Sequence, residues 1–295
     1  MFLVLDKHII YEYFKLLAPR KKVAKELDLQ VSIESTDSRI VLPRCYLEKC
    51  EEYFKGIGTA YFEFYKSFID GLNQTSKLEL IDVPNSLTEL QKLETCFIKN
   101  YKPYTFIFFK DENLQSKYLN QSMIYDRIAE PNKNWLILRF ATGQVVIQNK
   151  KKLNSRIKTE SFIDSVFCLQ INPKRVDIID SYFNVFSSNI IFNCIKGKFG
   201  CVKCFSSANP NHGGSKPVKI KNVKDFFGKN KTSIKFSNNS SITHERIIRI
   251  DSLFIECTHD FAEINPSNLN WSLLIKHCKE KEKDHLSKIA NYSPA

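Results

Sequence analysis

Glycine is scarce in this chain, with nine residues in 295. Neither G-x-x-x-x-G-K-[ST] nor G-x-G-x-x-G occurs, so no glycine-rich loop brings backbone N–H groups onto a phosphate. That argues against a mononucleotide kinase and against a dinucleotide oxidoreductase. Long apolar runs are missing as well: none approaches the roughly 18 residues that a membrane-crossing helix needs. The opening Met-Phe-Leu-Val-Leu-Asp has no basic lead and reads as a core strand rather than a signal peptide. A disulfide framework is also lacking. The nine cysteines are odd in number, scattered, and mostly set inside apolar runs, which is the usage of a reducing compartment, and a cytoplasmic protein is expected. There is no internal repeat and no long low-complexity tract.

What is present is apolar bulk and a lopsided charge. Hydrophobic residues make up 43% of the chain, including 23 Phe, enough to bury real cores. Residues 1–130 carry 18 Lys and Arg against 19 Asp and Glu, whereas residues 131–295 carry 26 against 13. The excess behind the net charge of +12 therefore lies in the second half. A basic face of this kind suits a polyanion, nucleic acid first and an anionic membrane surface second. Lys216, Lys219, Lys221 and Lys224 run up to Phe226-Phe227, and Arg249 adds a further cation. Lysines among aromatics fit backbone neutralisation with base stacking, and they fit a core-anchored loop equally.

Strand-like and helix-like patterns alternate through the first half. Strands are expected at 2–5, 39–43, 77–83 and 104–109, with helices at 9–17, 22–27, 46–72 (interrupted by Gly56 and Gly58), 87–99 and 114–129. Such alternation implies an α/β domain over 1–130 with a mostly parallel, helix-covered sheet. Residues 135–148, centred on Thr142-Gly143, read as a hairpin, and 150–159 carry five basic residues and no acid, so 131–159 is expected to be hairpin and basic linker. A second domain is expected over 160–295.

The most informative stretch is His244-Glu245-Arg246-Ile247-Ile248-Arg249-Ile250-Asp251, an H-x-R-x4-D pattern. On a strand, His244 and Arg246 share a face. An imidazole beside a fixed cation suits phosphoester chemistry, where one group attacks or moves a proton and the other holds developing charge. His259-Asp260, just beyond, either hydrogen-bonds into this site or caps a turn. The octet resembles the H-x-K-x4-D signature of the phospholipase D superfamily, with Arg246 in place of lysine. The run 175–183, closing on the Asp180-Ser181-Tyr182 corner, resembles the early core strand of that fold, and 199–206, 234–237 and 255–258 resemble the strands around it; the resemblance implies a mixed-sheet α/β domain over 160–295. The sequence is similar to H-x-R variants such as the C-terminal domain of microtubule-interacting and trafficking proteins. Thr258-His259 stands where the family has Gly-Ser, and the motif occurs once. The resemblance implies that His244 attacks phosphorus, that Arg246 holds the phosphorane oxygens, and that Asp251 orients the imidazole or a neighbouring donor, with no cofactor at the His244 site. One histidine per chain then implies a two-fold homodimer.

In the first half, Asp6, Glu48, Glu94 and Asp111 fall near strand ends or in the helices beside them, with Glu51 and Glu89 competing for the middle places. Carboxylates converging on one crevice suit Mg2+ or Mn2+ and a metal-activated water. Here the sequence loosely resembles PIN-type nucleases, and the resemblance implies that those four acids hold the metal. Cys201-Val-Lys-Cys204 with His212 raises zinc, although a spacing of three on a strand sends the two thiols to opposite faces. The expected function is phosphodiester-directed nucleic-acid binding or cleavage, of the kind a bacterial defence or toxin-like effector uses. The alternative is a non-catalytic phosphate, nucleic-acid or membrane-lipid binding module, or an interaction subunit whose partner protein is encoded in the same operon.

Overall fold

The computed structural model describes residues 1–102, 104–111, 116–148, 155–171, 173–183, 188–238, 245–251, 253–264, 271–277 and 279–294. The chain divides into two compact units, Met1–Gly143 and Gln144–Ala295.

The first unit is built on five parallel strands, β1 (Phe2–Leu5), β2 (Arg39–Pro43), β3 (Leu78–Ile81), β4 (Thr105–Phe109) and β5 (Ser122–Ile124), in the order β3-β2-β1-β4-β5. Leu3, Val4, Ile40, Val41, Phe106 and Ile107 are fully buried. Apolar residues at consecutive positions, rather than alternating ones, are what a sheet covered on both faces requires. The cover comes from α1 (Lys7–Leu16), α2 (Ala24–Glu34), α3 (Tyr46–Ile57), α4 (Thr59–Gln74), α5 (Glu89–Lys99) and α6 (Lys133–Ala141). The long pattern over 46–72 is two helices, because Gly58 sits at φ +147, outside the helical region, and ends the first.

Two expectations are corrected here. Residues 114–129 do not form a helix: within the described part, two short 3-10 turns flank β5, which pairs in parallel with β4. The Asn134 side chain accepts the Ile124 N–H at 2.8 Å, a tertiary hydrogen bond that local periodicity does not reveal. Residues 135–148 are not a hairpin either. Asn132 caps α6 by accepting the Trp135 N–H at 2.9 Å, and Gly143 at φ +116 follows the helix end instead of turning a hairpin. The strand that comes next, β6 (Gln144–Gln148), belongs to the second unit.

That unit holds an eight-stranded mixed sheet in the order β13-β9-β8-β7-β10-β11-β12-β6. Its other strands are β7 (Arg175–Ile179), β8 (Cys201–Ser207), β9 (Thr232–Ser237), β10 (Ile247–Ile250), β11 (Leu253–Cys257), β12 (Ser272–His277) and β13 (Ser293–Pro294). Strands β7, β8 and β9 are parallel, with α8 (Ile190–Ile195) and α9 (Lys216–Phe227) in the crossovers; α7 (Arg156–Phe167) precedes β7. The remaining pairings are antiparallel, so the mixed sheet is as the sequence implies. Ile179, Phe205, Ile247, Phe254 and Tyr292 form a buried cluster, against which Ile289 of α10 (Lys279–Ala290) packs. No helix among the described residues is long and apolar enough to cross a membrane.

Candidate functional site

Register brings three chain segments together at one end of the second sheet. Ile247 opens β10 opposite Ile179, the last residue of β7, and opposite Glu256, next to last in β11. Asp180, Arg246 and the 257–263 segment therefore emerge side by side. The Asp180 N–H donates to the Phe205 carbonyl at 3.0 Å and the Cys257 N–H to the Arg246 carbonyl at 3.0 Å, which fixes the emerging backbones.

The corner after β7 is tightly built. Asp180 Oδ1 accepts the Tyr182 N–H at 3.1 Å, and Gly213 lies directly against the Tyr182 carbonyl. A Cβ at Gly213 would sit 2.0 Å from that oxygen, and its φ is +85, so only glycine suits the position. The His212 and Tyr182 rings lie 5.4 Å apart. Tyr182 in turn carries the Arg246 guanidinium 5.7 Å from its ring centre, and Arg246 Nε donates to an Asp260 carboxylate oxygen. Arg246 is thus held on two sides with 17% of its side chain still exposed.

A pocket of ≈ 350 Å³ opens against this corner, lined by Asp180, Tyr182, Asn189, Phe192 and the 260–263 segment. Phe192 and Phe261 are buried and give it an aromatic floor, while Ala262 and Glu263 stand exposed at its lip. Burial pushes the Asp180 carboxyl up to about 6, opposed by the Tyr182 N–H and by the nearby Arg246 charge. Among the lining residues Asp180, Asp260 and Glu263 are acidic, so the pocket's wall is anionic and the guanidinium stands beside it. The arrangement can grip an anion at Arg246 and accept hydrogen bonds from a donor-bearing group inside.

Of the residues expected to form the site, His244 lies outside the described residues, and Arg246 emerges just before β10 and binds Asp260. Asp251 sits in the turn at the far end of β10 with φ +50, and the four residues of that strand put it roughly 16 Å from Arg246 at ~3.3 Å per residue. The carboxylate that orients the guanidinium is Asp260, which lies 14 residues downstream of it.

Of the expected nucleic-acid contacts, Lys219 is an interior group and Arg249 is partly buried against a carboxylate. Lys219 is 0% exposed, and its ammonium donates to the Ser181 and Ser207 carbonyls at 2.9 and 2.8 Å. Burial lowers its pKa to about 8, with Asp180 acting in the opposite direction. Arg249 lies 3.7 Å from Asp177, a buried carboxylate that also takes two hydrogen bonds from Arg175 at 2.5 and 2.6 Å and faces His285 at 3.5 Å. Burial alone would raise the Asp177 pKa, but the hydrogen bonds from His285 and Arg175 bring it below the usual range. Lys216 and Lys221 are exposed on α9, Lys224 is half-buried, and Phe227 is in the core.

The acids of the first unit are not gathered into a metal centre. Among the described residues no group of three His, Cys, Asp or Glu is placed to hold a metal ion, which also disposes of zinc at Cys201, Cys204 and His212. Asp6 is buried at the end of β1, where one oxygen accepts the His8 N–H at 2.6 Å and the other the Lys110 N–H at 3.0 Å. It ties β1, α1 and β4 together, and burial raises its pKa against those two hydrogen bonds. Glu94 accepts the Ser116 hydroxyl at 2.7 Å and the Lys117 N–H at 2.8 Å. Glu48 is exposed, and Asp111 is partly buried just past β4. The competing Glu89 is the acid that interacts with Asp6, and it is occupied by Lys7 at 2.9 Å and the Tyr46 hydroxyl at 2.6 Å. Glu51 pairs with Lys55 at 3.6 Å.

No protein-family model matches the sequence, and neither does any curated protein. Among solved structures, the chain is similar to a phospholipase D family member, Nuc, from Salmonella typhimurium: 13% identity and a TM-score of 0.36, over 52% of this chain and 97% of that one. NucT from Helicobacter pylori gives 12% identity and a TM-score of 0.36 over 52% and 98% of the two chains. Polyphosphate kinase from Porphyromonas gingivalis gives 12% and 0.38 over 77% and 36%. Likenesses this loose do not assign a function.

Proposed function

We propose that the second unit is a phospholipase D-like domain that binds, and in its active form cleaves, phosphodiesters of nucleic acid. The observation that supports this reading best is Arg246, fixed by Asp260 and the Tyr182 ring, two residues that line the pocket, while part of its side chain stays open to solvent. An arginine held in this way binds phosphate through its planar fork and remains charged at every relevant pH. In the cleavage step His244 attacks phosphorus and displaces the leaving oxygen, which takes up a proton, and water then releases the phosphoryl group from the imidazole. Arg246 stabilises the charge that builds on the non-bridging oxygens. Asp260 takes the orienting role that the sequence motif suggests for Asp251. With one motif per chain, the protonating imidazole comes from a second copy across a two-fold axis. The first unit is assigned no metal-ion step, since Asp6 and Glu94 are engaged by N–H and hydroxyl donors.

One feature favours a second reading, a non-catalytic phosphate-binding module: the motif's lysine is replaced by Arg246, which grips phosphate but stays charged and cannot trade protons. Nuclease assays on single- and double-stranded DNA and RNA separate the two readings. Cleavage that survives EDTA and disappears in His244→Ala supports catalysis. Salt-sensitive binding with no cleavage in EDTA or Mn2+ supports the module.

A further inference from the structure

Helix α2 of the first unit is apolar on two sides, and only one of them is used. It buries Asp28, Leu29, Ser32 and Ile33 against the unit. On the opposite side Val23, at the N-cap, Leu27 and Val31 stand 57%, 49% and 48% exposed. A spacing of four residues sets the three in one row along the helix, about 12 Å long at 1.5 Å per residue. A lone exposed apolar side chain is ordinary on a protein surface, whereas an aligned row marks an interaction surface.

Charge identifies the occupant. Residues 20–25 hold Arg20, Lys21, Lys22 and Lys25 and no acid, whereas 26–37 hold Glu26, Asp28, Glu34 and Asp37 and no base. Glu26 pairs with Arg20 and Asp28 with Arg139, so the charge of the two ends comes from Lys21, Lys22 and Lys25 on one side and from Glu34 and Asp37 on the other. Cations at the start of a helix and anions at its end are the reverse of what its own dipole favours. Against a second α2 running the opposite way the same pattern becomes complementary, each basic end meeting an acidic end and the other helix's C-terminal dipole. A parallel pairing would stack like charges instead. We propose that α2 pairs with α2 of a second copy of this chain, antiparallel across a two-fold axis, with Leu27 on the axis against the partner's Leu27 and Val23 against Val31 of the partner subunit. The pairing belongs to the first unit and stands whatever Arg246 holds. One short row is small beside the roughly 800 Å² per partner of a standard interface, so the dimer is a weak one.

Sedimentation equilibrium of the full chain tests the proposal. A monomer–dimer equilibrium is expected with a dissociation constant on the order of 30 µM, and Leu27→Asp, which sets two carboxylates face to face on the axis, is expected to weaken it about tenfold or more. Val23→Asp and Val31→Lys are each expected to associate more weakly than the unaltered chain. Their equimolar mixture is expected to recover the dimer, because the antiparallel register sets the introduced carboxylate against the introduced ammonium and leaves a valine pair at the other end. All three positions are exposed, and recovery in the mixture requires folded chains, so loss of structure does not imitate the result. A chain that stays monomeric at about 300 µM, ten times the expected constant, overturns the proposal and leaves the row to a different partner. Association that survives Leu27→Asp, or a mixture no tighter than its components, overturns it as well.

Discussion

Replacing Lys219 with methionine separates a buried structural lysine from a nucleic-acid contact. The methionine keeps the length and apolar stem of the side chain and removes two hydrogen bonds from a charged donor, those to the Ser181 and Ser207 carbonyls. Such bonds contribute about 1.5–3 kcal/mol each. Against them stands the cost of holding a charge where the amine titrates at about 8 instead of 10.5, roughly 3 kcal/mol at 1.36 kcal/mol per pH unit. The balance at pH 7 is a loss of roughly 1.5 kcal/mol in Lys219→Met, read by urea unfolding. The loss must also grow with pH. Because the folded-state pKa is lowered, the unfolded chain binds more protons between about 8 and 10.5, and wild-type stability rises through that window. From pH 8 to 9.5 the difference between the proteins is expected to widen by about 1.5 kcal/mol. Binding to single-stranded nucleic acid should keep its salt slope. A pH-independent difference in stability, or a shallower salt slope in Lys219→Met, refutes the interior assignment and restores Lys219 to the surface.

Gly213→Ala forces a Cβ to within 2.0 Å of the Tyr182 carbonyl oxygen at φ +85, and a destabilisation of roughly 2–4 kcal/mol is expected in chemical denaturation. Asp177→Ala leaves Arg175, Arg249 and His285 without their shared carboxylate, so a loss of about 3–5 kcal/mol at pH 7 is expected. The Asp177 pKa is lowered, so this contribution is present above the usual carboxylate pKa and fades as pH falls through the folded value; wild type and variant are expected to converge in acid unfolding. Asp180 has its pKa raised to about 6, so it becomes neutral below that pH and removes a negative charge beside Arg246. Oligonucleotide affinity is therefore expected to rise as pH falls from 7.5 to 5.5, and Asp180→Asn to bind more tightly at pH 7.5 with a flatter profile. Binding that weakens on acidification would count against this pocket.

Much of the fold is legible in the residues. Unbroken apolar runs such as Phe2–Leu5 and Thr105–Phe109 mark strands buried on both faces, and the regular alternation with helices marks a parallel sheet. The strand that ends at the Asp180-Ser181-Tyr182 corner and the strand after the His244–Asp251 octet also lie close to their expected positions. The missed elements depend on partners distant in sequence. β5 is three residues long and leans on Asn134, and β6 is defined by pairing with β12, more than 120 positions away. The site is half legible for the same reason. The motif names both Arg246 and Asp251, but β10 carries Asp251 to the opposite end of the strand. Asp260 takes its place because β10 and β11 form a hairpin that returns the chain to Arg246. Charge counting identifies Lys219 and Arg249 as cations but does not register the carbonyls and the carboxylate that already engage them.

Whether the Arg246 guanidinium holds a phosphate is decided by the affinity of Arg246→Gln for an abasic single-stranded oligonucleotide across a salt series. Weaker binding is expected, with a log–log salt slope smaller by about 0.7, the release for one phosphate contact on a single strand. Unchanged affinity with an unchanged slope would contradict it.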